Sequence, residues 1–283
     1  MNKNLQKKEN IKSVLLTSFL YLILAVTLLI VIFPFVWMFL TSIKTVGEVR
    51  DFVFFPSNPQ WKNYISVIQK VDLLGSMFNT LIVIVAQIPS GLFSSAMAAY
   101  AFVKLKLKNK TFKFMMLMSS MMIPYAATML PQYQIFRTLN VLNTLVPLFL
   151  PGVMGNIVAM FFFIQYMGSI PDSYLEAARI DGCNSFKAFI NIILPLMKPA
   201  LVAQVIFWFV ALWNDYFGPS IYLSDSRKLT LQVALSFLNT TNGVADKPIV
   251  MAASCITCLP LFIIYAIFQK HFVGSLSVSG IKG

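Results

Sequence analysis

The sequence predicts an all-α polytopic membrane protein of six transmembrane helices, with a helical cytoplasmic loop between the fourth and fifth. Composition, charge placement and one capped loop predict it. Of 283 residues, 58% are hydrophobic and 11% charged, with a mean hydropathy of +0.76. Soluble domains carry roughly 45–50% apolar and about 25% charged residues. The charges here gather in short clusters between charge-free stretches long enough to cross a hydrocarbon core, which takes about 20 apolar residues.

Reading outward from the charges places spans near 14–40, 74–103, 114–134, 145–167, 200–222 and 249–269. The stretch from Val14 to Leu40 is too long for a signal peptide and stays as a span. Residues 1–13 form an N-terminal segment, 14–270 the transmembrane domain with its loop at 168–199, and 271–283 a tail. Fourteen of the 22 Lys and Arg residues fall on the side of the two termini, including Lys3, Lys7, Lys8 and Lys12 and the run Lys104, Lys106, Lys108, Lys110 and Lys113. The positive-inside rule therefore puts both termini in the cytoplasm. The net charge of +12 sits at span ends rather than along a face, so it reads as membrane orientation and lipid contact, not nucleic-acid binding.

The outer loop at 41–72 is rich in aromatics and prolines (Phe52, Phe54, Phe55, Pro56, Pro59, Trp61, Tyr64), as an interfacial belt would be. Its last part, from Trp61 to Val71, has Trp61, Ile65 and Ile68 on one helical face. Pro89-Ser90-Gly91, Pro124 and Pro151-Gly152 are positioned to kink spans two to four. Three cysteines and one histidine, His271, supply neither a disulfide framework nor a metal site. No catalytic set is recognisable either, since Ser or Asp without a positioned His does not make one.

The most informative segment runs from Ile170 to Pro199. Ser173 followed by Glu176 has the spacing of a capping box that starts a short helix. Gly182 is placed to end that helix in a left-handed conformation, Asn184 to cap a second one, and Pro195 to interrupt it. The product is a helix-turn-helix knob, in which small Ala177 and Ala178 allow close approach by a partner. A plain connecting loop would fit the same residues.

Fifth among the spans, the segment at 200–222 contains Asp215, the one ionisable residue placed inside the membrane, about 24 Å along from Pro199 at 1.5 Å per residue. A charge there costs at least about 2.5 kcal/mol at the membrane centre, so it needs a partner or a wet cavity. Asn214, Asp215 and Tyr216, together with Asn156 of span four, are candidates to line a path for a hydroxylated solute. A purely structural hydrogen bond would equally explain Asp215.

The run Glu176, Ala177, Ala178, Asp181, Gly182, Phe189, Ile192, Leu194, Pro195 and Pro199 resembles the EAA loop of ABC-importer permease subunits, with Cys183 where that family usually has alanine. Met122–Tyr125, Pro131–Phe136, Trp213–Asp215, Gln269–Gly274 and Ile281–Gly283 are similar to the carbohydrate-importing, maltose-permease-like branch. The resemblance implies a type I importer permease in a bacterial plasma membrane. Glu176, Ala177, Ala178, Asp181, Gly182, Phe189 and Pro195 would then form the element that couples to an ATPase. It also implies a second permease subunit, two ATP-binding subunits that hold ATP and Mg, an extracellular solute-binding protein, and no cofactor on this chain. The chain itself has no G-x-x-x-x-G-K-[ST] loop with which to cradle ATP. An ion-coupled secondary transporter is the alternative reading, weakened by the single intramembrane Asp and the absence of an internal repeat.

Overall fold

A computed structural model describes residues 2–240 and 246–279, with side chains over 14–238 and 246–269. Every regular element among them is helical. In chain order these are α1 (Asn2–Ser42), α2 (Val46–Arg50), α3 (Lys62–Lys70), α4 (Leu73–Lys104), α5 (Lys110–Ser120) and α6 (Tyr125–Thr138). Next come α7 (Val146–Val153), α8 (Ile157–Gly168), α9 (Ser173–Ile180) and α10 (Ser185–Ala188), then a π-helical turn at Phe189–Ile193 that leads into α11 (Leu194–Leu196). The chain ends with α12 (Lys198–Trp213), α13 (Phe217–Tyr222), a 3-10 turn at Ser226–Lys228, α14 (Leu231–Thr240) and α15 (Lys247–Ser279). The N-terminal and C-terminal boundaries expected at 13 and 270 are not helix ends, because α1 and α15 run through them.

The chain divides into two compact units, Met1–Lys70 with Leu238–Cys258, and Val71–Phe237 with Leu259–Gly283. In the first unit, α1 exposes apolar side chains on every side from Val14 to Val36. A helix apolar all round belongs in a bilayer or a protein interior. After α1 the chain turns at Lys44, whose ammonium lies 4.4 Å over the Trp37 ring. Thr45 and Glu48 then form a reciprocal capping box that starts α2, and the Glu48 carboxylate also accepts the Ser57 backbone N–H. These backbone donors hold the Glu48 carboxyl below the usual carboxylate range. The expected interfacial helix is α3. It buries Asn63 and Val67, with Asn63 Nδ2 donating to the Ser42 and Lys44 carbonyls, and presents Ile65 and Ile68 outward, with Trp61 exposed just ahead of it.

The second unit is organised on α4, which packs against α7, α8 and α12. Pro89 stays inside α4 without breaking it. Two glycines let the backbones meet there: a Cβ on Gly91 would strike the Gly152 carbonyl and the Trp208 ring, and one on Gly152 would strike the Gln87 side chain. Ser95 Oγ bridges α4 to the start of α8 by accepting from Asn156 N at 2.8 Å.

Among the described residues, four helical stretches are long and apolar enough to cross a membrane, and six if two bent helix pairs are each one span. Span three is one of those pairs, α5 with α6, bent by 87°. Pro124 lacks an N–H and disfavours helical backbone at Ile123, so the helix stops and restarts. Span four breaks between α7 and α8, where Gly155 takes φ +118. Span five ends at Trp213 rather than near residue 222, and a 74° bend separates its entry segment, Ser185–Leu196, from α12.

Candidate functional site

Lys104, the last residue of α4, fixes the entrance to the loop at 168–199. Its side chain is only 4% exposed, and Nζ donates to the Ile170 carbonyl at 2.6 Å and to Asp172 Oδ1 at 2.7 Å. The ammonium beside Asp172 holds that carboxyl below the usual range. The expected capping box at Ser173 and Glu176 does not form. Instead Asp172 occupies the cap position with helical backbone angles and caps nothing, because its carboxylate is taken by Lys104.

The end of α9 follows the sequence expectation closely. Gly182 sits at φ +76, Gly182 N donates to the Arg179 carbonyl at 3.1 Å, and Cys183 N donates to the Ala178 carbonyl at 2.9 Å. That pair of bonds is a Schellman motif, which closes a helix and satisfies its last carbonyls. Asn184 Oδ1 then accepts Lys187 N at 2.8 Å and caps α10. Pro195 does not interrupt the second helix. The π-helical turn absorbs the register change ahead of it, and the break falls at Met197.

The seven loop residues singled out from sequence divide by exposure. Glu176, Ala177, Asp181, Gly182 and Pro195 face outward, whereas Ala178 and Phe189 are buried. The Phe189 ring lies 5.2 Å from Tyr100 and 5.8 Å from Phe93, so it anchors the loop on α4.

Asn214, Asp215 and Tyr216 form the junction between α12 and α13 rather than the interior of a span. Asn214 Nδ2 donates to the Val210 carbonyl at 2.8 Å, and Gln232 Nε2 donates to the Trp213 carbonyl at 3.2 Å. Asp215 Oδ1 accepts Gly218 N at 3.3 Å, and Tyr216 is about half exposed. Asn156 lies elsewhere in the second unit. Its Oδ1 accepts Val158 N and Ala159 N and caps α8, which leaves its carboxamide NH2 to face other groups.

Among the described residues no group of His, Cys, Asp and Glu could hold a metal ion. The family model described as "Binding-protein-dependent transport system inner membrane component" matches residues 7–278. The chain belongs to this family. It is 32% identical to the arabinooligosaccharides transport system permease protein AraQ of Halalkalibacterium halodurans, over 90% of this chain and 92% of that protein. It is 29% identical to the sulfoquinovosyl glycerol transport system permease protein SmoH of Agrobacterium fabrum, over 89% of each. Its fold matches a chain of a bacterial ABC transporter involved in import of the acidic polysaccharide alginate, with a TM-score of 0.75 at 23% identity, covering 96% of this chain and 99% of that one. The chain is thus a transport permease subunit in a membrane.

For this permease, sequence reasoning missed an apolar set on the outward side of the loop. Ile180 is 87% exposed, and Phe186 and Tyr174 are about half exposed. A groove of ≈190 Å³ at Phe186 is lined also by Phe189, Tyr100 and Leu105, among others. The available signal was Ile180 directly before Asp181-Gly182, since a residue at a helix end beside a polar turn has little core to join.

Proposed function

We propose that this permease forms half of the membrane path of an ATP-driven carbohydrate importer and docks on an ATP-binding subunit through α9, Gly182 and α10. The observation that carries the reading is the build of the loop. Outward-facing Tyr174, Glu176, Ala177 and Ile180 stand on a helix whose end is closed by the Schellman turn, whose inner face buries Leu175 and Ala178, and whose entrance is tied to α4 through Lys104. A helix presenting apolar and small residues outward is suited to a groove in a protein partner. Glu176, Asp181 and Pro195 rim that surface, while Ala178 and Phe189 hold it in place.

In this reading both termini are cytoplasmic, a second permease supplies the other half of the path, and two ATP-binding subunits carry ATP and Mg. A solute-binding protein delivers the cargo, and Asn214, Asp215, Tyr216 and Asn156 lie along its route. The carbohydrate class rests on the cargo in the names of the similar permeases AraQ and SmoH.

The test is co-purification from a gentle detergent extract, followed by reconstitution of the recovered complex. Uptake of arabinotriose, raffinose and maltotriose is then measured with binding protein and ATP. Recovery of a second permease and an ATP-binding dimer with ATP-dependent uptake is expected. Recovery of this chain alone, still competent for gradient-driven uptake, overturns the proposal in favour of a secondary transporter.

A further inference from the structure

Two helix interruptions of the second unit come together at one place. α6 begins at Tyr125 after the 87° bend, and α13 begins at Phe217 after α12 has ended. Non-helical backbone at membrane depth is tolerated only where protein or a wet cavity receives its polar groups. The Tyr125 and Phe217 rings meet edge to face at 6.4 Å. The Tyr222 hydroxyl, on α13, donates to Gln132 Oε1 on α6 at 3.3 Å, and Gln132 Nε2 donates to Thr128 Oγ1 at 3.3 Å, which ties the two broken helices together. The Tyr125 hydroxyl, as a phenol, can both donate and accept.

Gly218 separates Tyr125 from Asp215. A Cβ on Gly218 would lie 3.3 Å from Tyr125 Oη and 3.2 Å from Asp215 Oδ2, while Asp215 Oδ1 accepts the Gly218 N–H. The missing side chain therefore lets a phenol oxygen and a carboxylate oxygen converge on the Gly218 backbone, closer than a methyl group would comfortably allow. Beside it stand the Tyr125 and Phe217 rings, 49% and 48% exposed. A carboxylate acceptor and a phenol hydroxyl side by side, with an apolar ring face alongside, match two neighbouring hydroxyl groups on a sugar and the C–H face behind them.

We propose that Tyr125, Asp215, Phe217 and Gly218 form a subsite for a vicinal diol of a neutral carbohydrate on the transport path, with the Tyr222–Gln132 bond holding α13 to α6. This rests on the reading that the permease carries a carbohydrate. The carboxylate accepts hydrogen bonds and the phenol accepts or donates them, so the subsite suits sugar hydroxyls, and the Asp215 carboxylate repels an anionic sugar.

The experiment uses the complete reconstituted transporter with its binding protein. Uptake of arabinotriose, raffinose, maltotriose and an alginate trisaccharide is measured, and the best neutral sugar becomes the probe. Tyr125→Phe keeps the ring and removes the acceptor, and is expected to lower kcat/KM for uptake, normalised to assembled complex, roughly three- to tenfold. Gly218→Ala presses a methyl against both oxygens and is expected to lower it about tenfold. Gly47→Ala, where a Cβ would meet nothing nearer than 3.9 Å, serves as the control and leaves uptake unchanged. Deoxy forms of the probe separate contact from structure: one deoxy position should cost the wild type the same factor and cost Tyr125→Phe nothing further.

If Gly218→Ala does not assemble, Tyr125→Phe and the deoxy series decide. Wild-type uptake by Tyr125→Phe, or equal deoxy losses in both proteins, overturns the subsite and leaves the importer reading intact. Uptake of the alginate trisaccharide alone overturns the neutral-sugar assignment. No ATP-dependent uptake of any of the four sugars by the wild type overturns the importer reading and the subsite with it.

Discussion

Gly182 gives the sharpest test of the loop, because its two possible penalties separate in the structure. It holds φ +76, and a Cβ built there meets nothing within 4 Å. Gly182→Ala therefore adds no clash and removes no buried contact. What remains is the cost of placing an L-residue in left-handed backbone, roughly 1–2 kcal/mol. If the wild-type loop is already closed and the ATP-binding subunit accepts only the closed turn, the apparent affinity falls with the closed fraction, so the loss can reach about 5–30-fold. Gly182→Asn should lose less, since Asn tolerates this conformation better than Ala. Gly182→Val should lose at least as much as Ala, because β-branched residues are outliers at positive φ. The assay is titration of purified ATP-binding subunit against permease variants in nanodiscs, with thermal unfolding of the permease as the control for integrity. The order glycine, asparagine, alanine, with nearly unchanged unfolding temperatures, is expected. Equal affinity for all variants would refute the idea that docking reads the turn, and a large fall in unfolding temperature for Gly182→Ala would refute the claim that the site is sterically open.

Three further outcomes follow from other contacts. Lys104→Met removes the Nζ partner of the Ile170 carbonyl, at a cost of about 1–3 kcal/mol if that carbonyl is left unsatisfied, and should weaken ATPase docking without touching the docking surface. The titration used for Gly182 reads this out. Because Lys104 lowers the Asp172 pKa in the folded protein, the contribution of that pair is complete above the ordinary Asp value and is lost as pH falls through the depressed one. Docking should accordingly weaken only under acid conditions, and Asp172→Asn should flatten that pH profile. Gly91→Ala drives a methyl into the Gly152 carbonyl and the Trp208 ring, and should destabilise the second unit by about 1–3 kcal/mol, measured by thermal unfolding in detergent. Asp215→Asn tests the charge at the junction: slower uptake with normal assembly is expected, and unchanged uptake would return Asp215 to a capping role for α13.

The membrane class and the loop's turn were legible because each depends on a local rule. Long charge-free runs can be counted, and a left-handed residue between a short helix and a capping Asn leaves Gly182 and Asn184 in a recognisable order. The failures all involve competition between distant groups. Ser173 and Glu176 have the spacing of a capping box, yet Lys104, 68 residues before Asp172, draws that carboxylate away and the helix starts without a side-chain cap. The apolar composition continues through Phe217 and Tyr222, so the sequence places the end of span five near residue 222. The helix nevertheless stops at Trp213, where Asn214 returns its side chain to the Val210 carbonyl and Asp215 turns to the start of α13.

The same competition relocates the question about Asp215. As a charge inside a continuous helix it would need an ion-pair partner; at a helix junction it can satisfy one oxygen with the Gly218 backbone and keep the other beside Tyr125. An ionisable residue in an apolar segment therefore had two structural solutions that one sequence could not separate, burial against a partner or interruption of the helix. This permease takes the second. That choice brings Tyr125, from a different broken helix, up against Gly218, where even a methyl would crowd it, which is a relation across more than ninety residues that no periodicity or spacing carries.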